Sequence, residues 1–534
     1  MQPIFSTQPR GFLRALLRPA PRSALTVLVI AAISGCTPGG GGVTPSAPPS
    51  PEGQAILAWG GNSSGQLGDN SNNQRLNPVT VPLRDLRAIA AGGDVSVGLT
   101  VDGRVLEWGG GRIAPAEITG LSGVKAIAAG ERHRLALTND GKVWAWGEND
   151  RGQLGDGTKT TRTTPVQVVG LSDVLSIAAG ARHSLAIGKN FAVQAWGADD
   201  AGQLGDGKTT DSPTPVTVPG VNAIAVAAGA THSVALTTDV KVLGWGGNAE
   251  CQLGIDARND PFDPLVCSPH PAPFEMALAA GRPATWGATI AATNATTLVV
   301  TSDSQVVGFG GNGDATNFRG MCKTDLALGT AVLDLPNVRE VAAGPTHALF
   351  TTSTGAVWAL GANIAGQVGS GATTVVECPQ EIASTRVRGA TKVAAGAEHS
   401  IALIRGVVEA QPPNVDFGNQ PLATTSGAST VTLTNSGLAP VVLTEVAAAG
   451  GAGEFALTEN CPDPPAVLAP ASTCQAQVTF APGGAGVRSG SIGIRSDALR
   501  ERLDVGLAGA GTQAAVAFAP ASVDFGNQAT GVAS

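Results

Sequence analysis

Ala128-Ala129-Gly130-Glu131-Arg132-His133-Arg134-Leu135-Ala136-Leu137-Thr138-Asn139-Asp140-Gly141-Lys142-Val143-Trp144-Ala145-Trp146-Gly147 is one copy of a segment that recurs along this 534-residue chain. Between Ala90 and Gly396 its opening tripeptide occurs seven times, ending at Gly92, Gly130, Gly180, Gly229, Gly281, Gly344 and Gly396. The markers that follow are Trp108, Trp146, Trp196, Trp245, Phe309 and Leu360. Each lies 16 residues beyond its glycine except Phe309, which lies 28 beyond Gly281. A fixed element alternating with loops of variable length is the signature of a repeat architecture. Within the quoted copy, two runs of period two flank Asp140-Gly141, so the segment reads as a β-hairpin whose turn glycine accepts a positive φ. The polar stretch Asn149 to Gly157, a strand start at Pro165-Val166 and an apolar run ending at Gly180 complete four short strands per unit, the pattern of a propeller blade.

A sheet this small cannot bury both of its faces alone, so its stability must come from neighbours stacked around a ring. Seven markers predict seven blades. The first repeat begins at a second hairpin strand, Ala55-Ile56-Leu57-Ala58-Trp59-Gly60, and the last ends at a first one, His399-Ser400-Ile401-Ala402-Leu403-Ile404. These two are expected to pair and close the ring, leaving few free edges. The fold class expected is therefore all-β, with a seven-bladed β-propeller over residues 55–405.

Trp146-Gly147, Asn149, Gly152-Gln153-Leu154-Gly155-Asp156-Gly157 and Ala178-Ala179-Gly180 followed by His183-Ser184-Leu185-Ala186 resemble the repeat of the regulator of chromosome condensation family. The resemblance covers residues 55–405 and implies a seven-bladed propeller. In eukaryotes that family includes a nuclear exchange factor for a small GTPase. Its bacterial relatives include secreted binding propellers, one of them a β-lactamase inhibitor, so the resemblance leaves activity open.

The N-terminus argues for export. Arg10, Arg14, Arg18 and Arg22 precede the apolar run from Ala24 to Ile33, which ends in Ile33-Ser34-Gly35-Cys36, so residues 1–35 read as a secretory signal. The apolar run is too short for a permanent membrane helix. Its last four residues resemble the bacterial lipobox, which implies cleavage before Cys36 and diacylation of that cysteine. Thr37 in the second mature position is compatible with an outer-membrane destination. The Gly/Pro/Ser-rich residues 36–54 read as a flexible tether.

Beyond Arg405 a different β pattern starts. Val415-Asp416-Phe417-Gly418-Asn419-Gln420, Val431 to Gly437, Cys461, Cys474, Val478 to Pro482 and Leu507 to Gly511 mark short strands of a sandwich over residues 411–512. They resemble the immunoglobulin-like modules of the abnormal-spindle/Hydin class, also known in bacteria as choice-of-anchor domains. Val523-Asp524-Phe525-Gly526-Asn527-Gln528 repeats the first of these motifs 108 residues later. Residues 513–534 thus read as the truncated start of a second sandwich, without a stable fold of their own.

Without residues 1–35 the chain holds 29 basic against 41 acidic residues, a balance of −12 against −8 for the whole. No Lys/Arg cluster offers a footprint for phosphates, so nucleic acid is not an expected partner. With Cys36 assigned to lipid, the remaining six cysteines are expected as disulfides in an oxidising compartment. Cys461 and Cys474 share one small domain and are expected to pair. Three connectivities are open to the other four. Cys251 with Cys267 inside blade five, and Cys322 with Cys378 between blades six and seven, is favoured. Zinc is excluded by the lack of a close CxxC pair or clustered histidines. No cofactor is expected.

His133, His183, His232, His347 and His399 each stand three residues after a tripeptide glycine, with Val95 and Thr296 at the same place in the other two blades. A catalytic base is needed once, whereas a side chain that bridges to backbone of a neighbouring strand or blade is needed in every unit; these histidines are read as structural. The Asp-Gly turns and Gly-Gln-Leu-Gly-Asp-Gly loops lack the alternating acids and terminal glutamate of a calcium loop. No residue is nominated as nucleophile or general base, and the chain is expected not to be an enzyme.

Function is sought where the repeat breaks. Blade five carries a long loop from Ile255 to Glu275 with Phe262; the interval after Gly281 holds a twelve-residue insertion with Trp286; blade six has a degenerate loop with Phe318 and Arg319. Aromatic and Arg side chains on irregular loops of a rigid scaffold suit binding. The expectation is a lipid-anchored scaffold presenting its propeller to a protein or envelope-polymer partner, attached to the membrane through lipid alone. Its competitors are a propeller that caps a secreted enzyme and an enzyme with carboxylates converging at the propeller mouth. Guanine-nucleotide exchange is set aside because export removes the cytosolic GTPase.

Overall fold

The computed structural model describes residues 54–254, 267–276, 289–301, 304–310, 330–333, 335–383, 385–462, 467–513, 522–524, 526–527 and 531. The fold is all-β: no α-helix occurs among the described residues, and none is long and apolar enough to cross a membrane.

Each repeat forms an antiparallel four-stranded unit. In the third, Val124–Ala129, His133–Thr138, Val143–Gly147 and Arg162–Gln167 run from the axis outward. The second strand is buried along its whole length and the outermost is largely exposed. The alternation of Leu135, Ala136 and Leu137 therefore separates two buried faces rather than a wet face from a dry one. Ser212–Ala228 is long enough to be the outer strand of the fourth unit and the inner strand of the fifth, which fuses their sheets.

The innermost strands touch in an unbroken cycle. It runs from Leu86–Gly92 through Val124–Ala129, Val174–Ala179, Ser212–Ala228, Thr289–Ala292, Val338–Ala343 and Ala390–Ala395 back to Leu86–Gly92. Gln54–Gly60 pairs antiparallel with His399–Arg405, Ile56 opposite Leu403 and Gly60 opposite His399, so first and last repeats share one sheet.

The apolar core lies between the sheets. Trp196 packs with Leu135, Val143 and Leu154 of the preceding unit, Trp245 with Leu185 and Leu204, and Trp59 with Leu349 and Val357. The recurring Trp-Gly marker thus seals a seam to the unit before it, and the burial that holds a unit is shared with its neighbour. The tripeptide glycine exists for a close approach: a Cβ at Gly130 would stand 2.3 Å from the carbonyl oxygen of Gly180, and one at Gly180 would stand 2.5 Å from that of Gly229.

One expectation is corrected. The inner strand of the sixth unit is Thr289–Ala292, so Ala291-Ala292-Thr293 takes the tripeptide's place and Phe309 again lies 16 residues beyond its end. Thr293 lines the axial cavity beside Gly229 and Gly344. Ala279-Ala280-Gly281 is a sequence decoy, and the extra residues precede the inner strand instead of interrupting the hairpin segment that follows it. Trp286 falls among residues 277–288, outside those described.

Beyond Arg405 two sheets face each other. One is ordered Val408–Gln411, Ser429–Asn435, Thr473–Phe480, Phe455–Glu459. The other is ordered Asn414–Pro421, Arg502–Thr512, Gly486–Ser496, Val441–Gly450, Val467–Leu468. Phe417, Phe455 and Phe480 meet between them, with Val431, Leu433, Ile492 and Val505. Asn414–Pro421 joins its sheet parallel to Arg502–Thr512. Among the described residues past Thr512 there is no strand.

Candidate functional site

Every second strand starts beside the axis and ends at a turn on the far side: His133–Thr138 leaves Gly130 and finishes at Asn139-Asp140-Gly141. The ring therefore has a mouth face, where the tripeptides meet, and a turn face. A cavity of about 480 Å³ opens at the mouth. Backbone and alanine methyls form most of its wall, and its polar side chains are Asp94, Glu131, Arg132, Arg134, Thr293 and Asn294. The charged four come from the second and third units. The sixth contributes neutral groups.

The five repeat histidines lie just below this mouth, fully buried. Nε2 of His133 meets Ser184 Oγ at 2.8 Å, His183 meets Ser233 at 2.9 Å, His232 meets Thr297 at 3.1 Å, His347 meets Ser400 at 2.8 Å and His399 meets Ser96 at 2.9 Å. In each pair the hydroxyl belongs to the next unit. The serine hydroxyls spend their own hydrogens on loop carbonyls: Ser184 on Gln153, Ser233 on Gln203, Ser400 on Gln367 and Ser96 on Gln66. A serine has one hydrogen to give, so at these seams the imidazole is the donor and carries its proton on Nε2. Their Nδ1 atoms have no partner, and burial lowers His133, His232 and His399 to about 3 and His183 and His347 to about 4. The contact is thus made through a hydroxyl, where the sequence led us to expect a direct bridge to backbone.

Indole groups share the same carbonyls: Nε1 of Trp196 donates to Gln153, Trp245 to Gln203 and Trp59 to Gln367. The Gly-Gln-Leu-Gly loop of one unit is therefore the clip that holds the next. Asn149 closes such a loop, accepting from Leu154 N at 2.9 Å and donating to Asp156 Oδ1 at 3.2 Å. Asp199 replaces that asparagine in the fourth unit. It still accepts from Leu204 N, and its second oxygen accepts from Thr210 N where Asn149 donates to the carbonyl of Thr160, but as a carboxylate it has nothing to donate to Asp206. Burial, with Asp206 and Asp211 nearby, pushes Asp199 up to about 6.

The second unit lacks its clip. Val105–Gly109 turns into Arg112–Glu117 through Gly110 and Gly111 alone, where the third unit spends residues 148–161 on the same crossing. Three further changes accompany the loss. Val95 stands at the histidine place, Arg134 at the serine place of the next unit, and Glu107 where other units have alanine or glycine. With no loop carbonyl available, Trp146 donates its indole hydrogen to Glu107 Oε2 at 2.9 Å. Arg134 Nε lies 3.2 Å from the same oxygen, and Arg112 Nη1 3.9 Å from Glu107 Oε1. This cluster was missed from sequence, although all four departures fall in one repeat and its successor.

Other expected residues sort as follows. Cys251 is bonded to Cys267 and Cys461 to Cys474. Cys378 is also disulfide-bonded, while Cys322 lies outside the described residues. Phe262, Phe318, Arg319 and Cys36 lie outside them too. Among the described residues no group of three His, Cys, Asp or Glu side chains is placed to hold a metal. The carboxylates on the cavity wall, Asp94 and Glu131, come from adjacent units.

The sandwich docks at the turn face. Leu499 lies against Gly355 in the last hairpin turn, Leu499 N donates to Gly406 O at 2.9 Å, Arg388 pairs with Glu409, and Arg405 Nη1 lies 3.7 Å from Glu501 Oε1. Gln54 is opposite Arg405, so the chain also enters the ring at this face.

A ring of small sheets with a polar mouth defines a β-propeller of the repeat type. Profiles of known families place it further: the RCC1-like domain matches residues 111–408 and the regulator of chromosome condensation (RCC1) repeat matches residues 55–99. The chain belongs to the RCC1-like domain family. A search of curated proteins finds no match. Among solved structures, human WBSCR16 is 19% identical with a TM-score of 0.56, covering 66% of this chain and 99% of its own. Yeast RCC1 (Prp20), solved with Kap60 bound, is 21% identical with a TM-score of 0.58, over 66% of this chain and 89% of its own. Prp20p from Saccharomyces cerevisiae, described with its binding properties to Gsp1p and histones, is 23% identical with a TM-score of 0.57, over 67% and 92%. At these identities the likeness is one of fold.

Proposed function

We propose that this chain is an exported, lipid-anchored binding scaffold: a seven-bladed propeller whose mouth face takes a protein or cell-envelope polymer partner, with an immunoglobulin-like module behind it. The observation that carries the reading is the polarity of the ring. Chain entry at Gln54, exit at Arg405 and the docked sandwich all occupy the turn face, so that none of these three described features covers the mouth and its cavity. A tether from Cys36 would then turn the mouth away from the membrane. Disulfides at Cys251–Cys267 and Cys461–Cys474 support an oxidising compartment. The yeast relative described as binding Kap60, Gsp1p and histones supports protein as the partner class. No catalytic role is part of this reading.

The test captures partners from envelope extracts with the mature chain. Asn294→Arg, exposed at the mouth, should abolish capture, and Asp140→Arg, exposed on the turn face, should leave it intact. The reverse pattern would overturn the assignment of faces. Labelling with a fatty-acid analogue should mark the wild type and fail with Cys36→Ala.

A further inference from the structure

The missing clip of the second unit does more than weaken a seam. Arg134 is 92% buried at its side chain, and its Nε makes no hydrogen bond. Its carboxylate neighbour is oversubscribed: Glu107 Oε2 already accepts from Trp146, and Oε1 faces Arg112. One carboxylate thus serves two guanidinium groups and an indole. A buried guanidinium carries five donors and is costly to leave incompletely bonded. Arg134 also lines the axial cavity together with Gly110, one of the two glycines that make the short crossing in place of the loop. At the rim, Arg132 has a loose partner, Glu148 at 3.7 Å, and Asp94 and Glu131 supply negative charge.

Resting on the mouth-face reading above, we infer that this notch is a specificity pocket for an acidic side chain of a partner peptide, its carboxylate completing the bonding of Arg134. Asp94 and Glu131 at the rim then favour a basic residue next to that acid. The cavity, about 480 Å³, holds such a pair of side chains. A planar guanidinium is suited to taking a second carboxylate edge-on, which a serine at this place could not do.

The test uses isothermal titration of the mature chain at low salt with an N-acetylated, C-amidated peptide, Gly-Lys-Asp-Gly, whose sole carboxylate is the aspartate. Its Asn counterpart should bind at least about tenfold more weakly, as loss of a charge-assisted bidentate contact requires. Two variants should erase the difference: Glu107→Ala with Arg134→Ser, which restores the residue types of other units, and a graft of residues 148–161 in place of Gly110-Gly111. The double variant leaves no buried charge unpaired, so an unchanged unfolding midpoint separates lost recognition from lost fold. Equal affinity for both peptides, no binding to the wild type, or acetate binding as tightly as the peptide would each overturn the inference. Capture that depends on Asn294 but ignores Arg134 would leave the mouth-face reading standing and remove only this one.

Discussion

The histidines that recur at five of the seams set the acid response of the molecule. The five histidines have folded pKa values below the ordinary 6.5, so their contribution is present above that value and is lost as pH falls toward about 3 to 4. Asp199 runs the other way: raised to about 6, its contribution is full below the ordinary 3.8 and fades as pH rises through 6. Glu340, also raised by burial, joins Asp199, but the five histidines outnumber these two, and acid destabilises. His183→Val, copying Val95, is expected to cost about 1–2 kcal/mol at pH 7.5 while lowering the slope of stability against pH between 6.5 and 4 by about one proton. Denaturant titrations at a series of pH values read both quantities. Asp199→Asn restores the donor that Asn149 has, and should stabilise by about 1 kcal/mol at pH 7.5. That gain should shrink towards pH 4, where Asp199 itself is protonated; a gain independent of pH would refute the assignment.

At the scale of the element, the indole and the loop clip act as one seam. Trp196 is fully buried against the preceding unit and bonded to its Gln153, so Trp196→Ala should cost about 3–5 kcal/mol. Thermal unfolding checks this, and a loss below about 1 kcal/mol would mean the seam is held elsewhere. Much of this element was legible in sequence because spacing is fixed by geometry: the hairpin spans the sheet once, so its length cannot drift. The sixth unit misled because the axis tests backbone approach, which Thr293 satisfies, and a tripeptide twelve residues upstream looked identical. The notch escaped for a different reason. Arg134 and Glu107 read singly as surface charges, and only the register that puts them beside Trp146 shows that they replace a loop. The histidine contact was half legible: recurrence marked it as structural, but the hydroxyl that receives it sits a full repeat away.

For the whole molecule, stability follows from closure, and the proposed mouth-face binding depends on it as well. Seams hold the core, so an open ring would expose the apolar faces of its first and last sheets, and the mouth would lose its circular wall. Closure rests on Gln54–Gly60 lying against His399–Arg405, a pairing across nearly the whole propeller sequence. The polarity of the ring puts the sandwich on the turn face and the charged notch on the mouth face, which in the proposed reading keeps attachment apart from recognition. Native-state hydrogen exchange at Gln54–Gly60 tests this most directly. These amides should exchange only through global unfolding, at the rate of the buried strand His183–Gly188. Exchange at Gln54–Gly60 orders of magnitude faster than in that strand would show a ring that opens at its seam and would contradict the account.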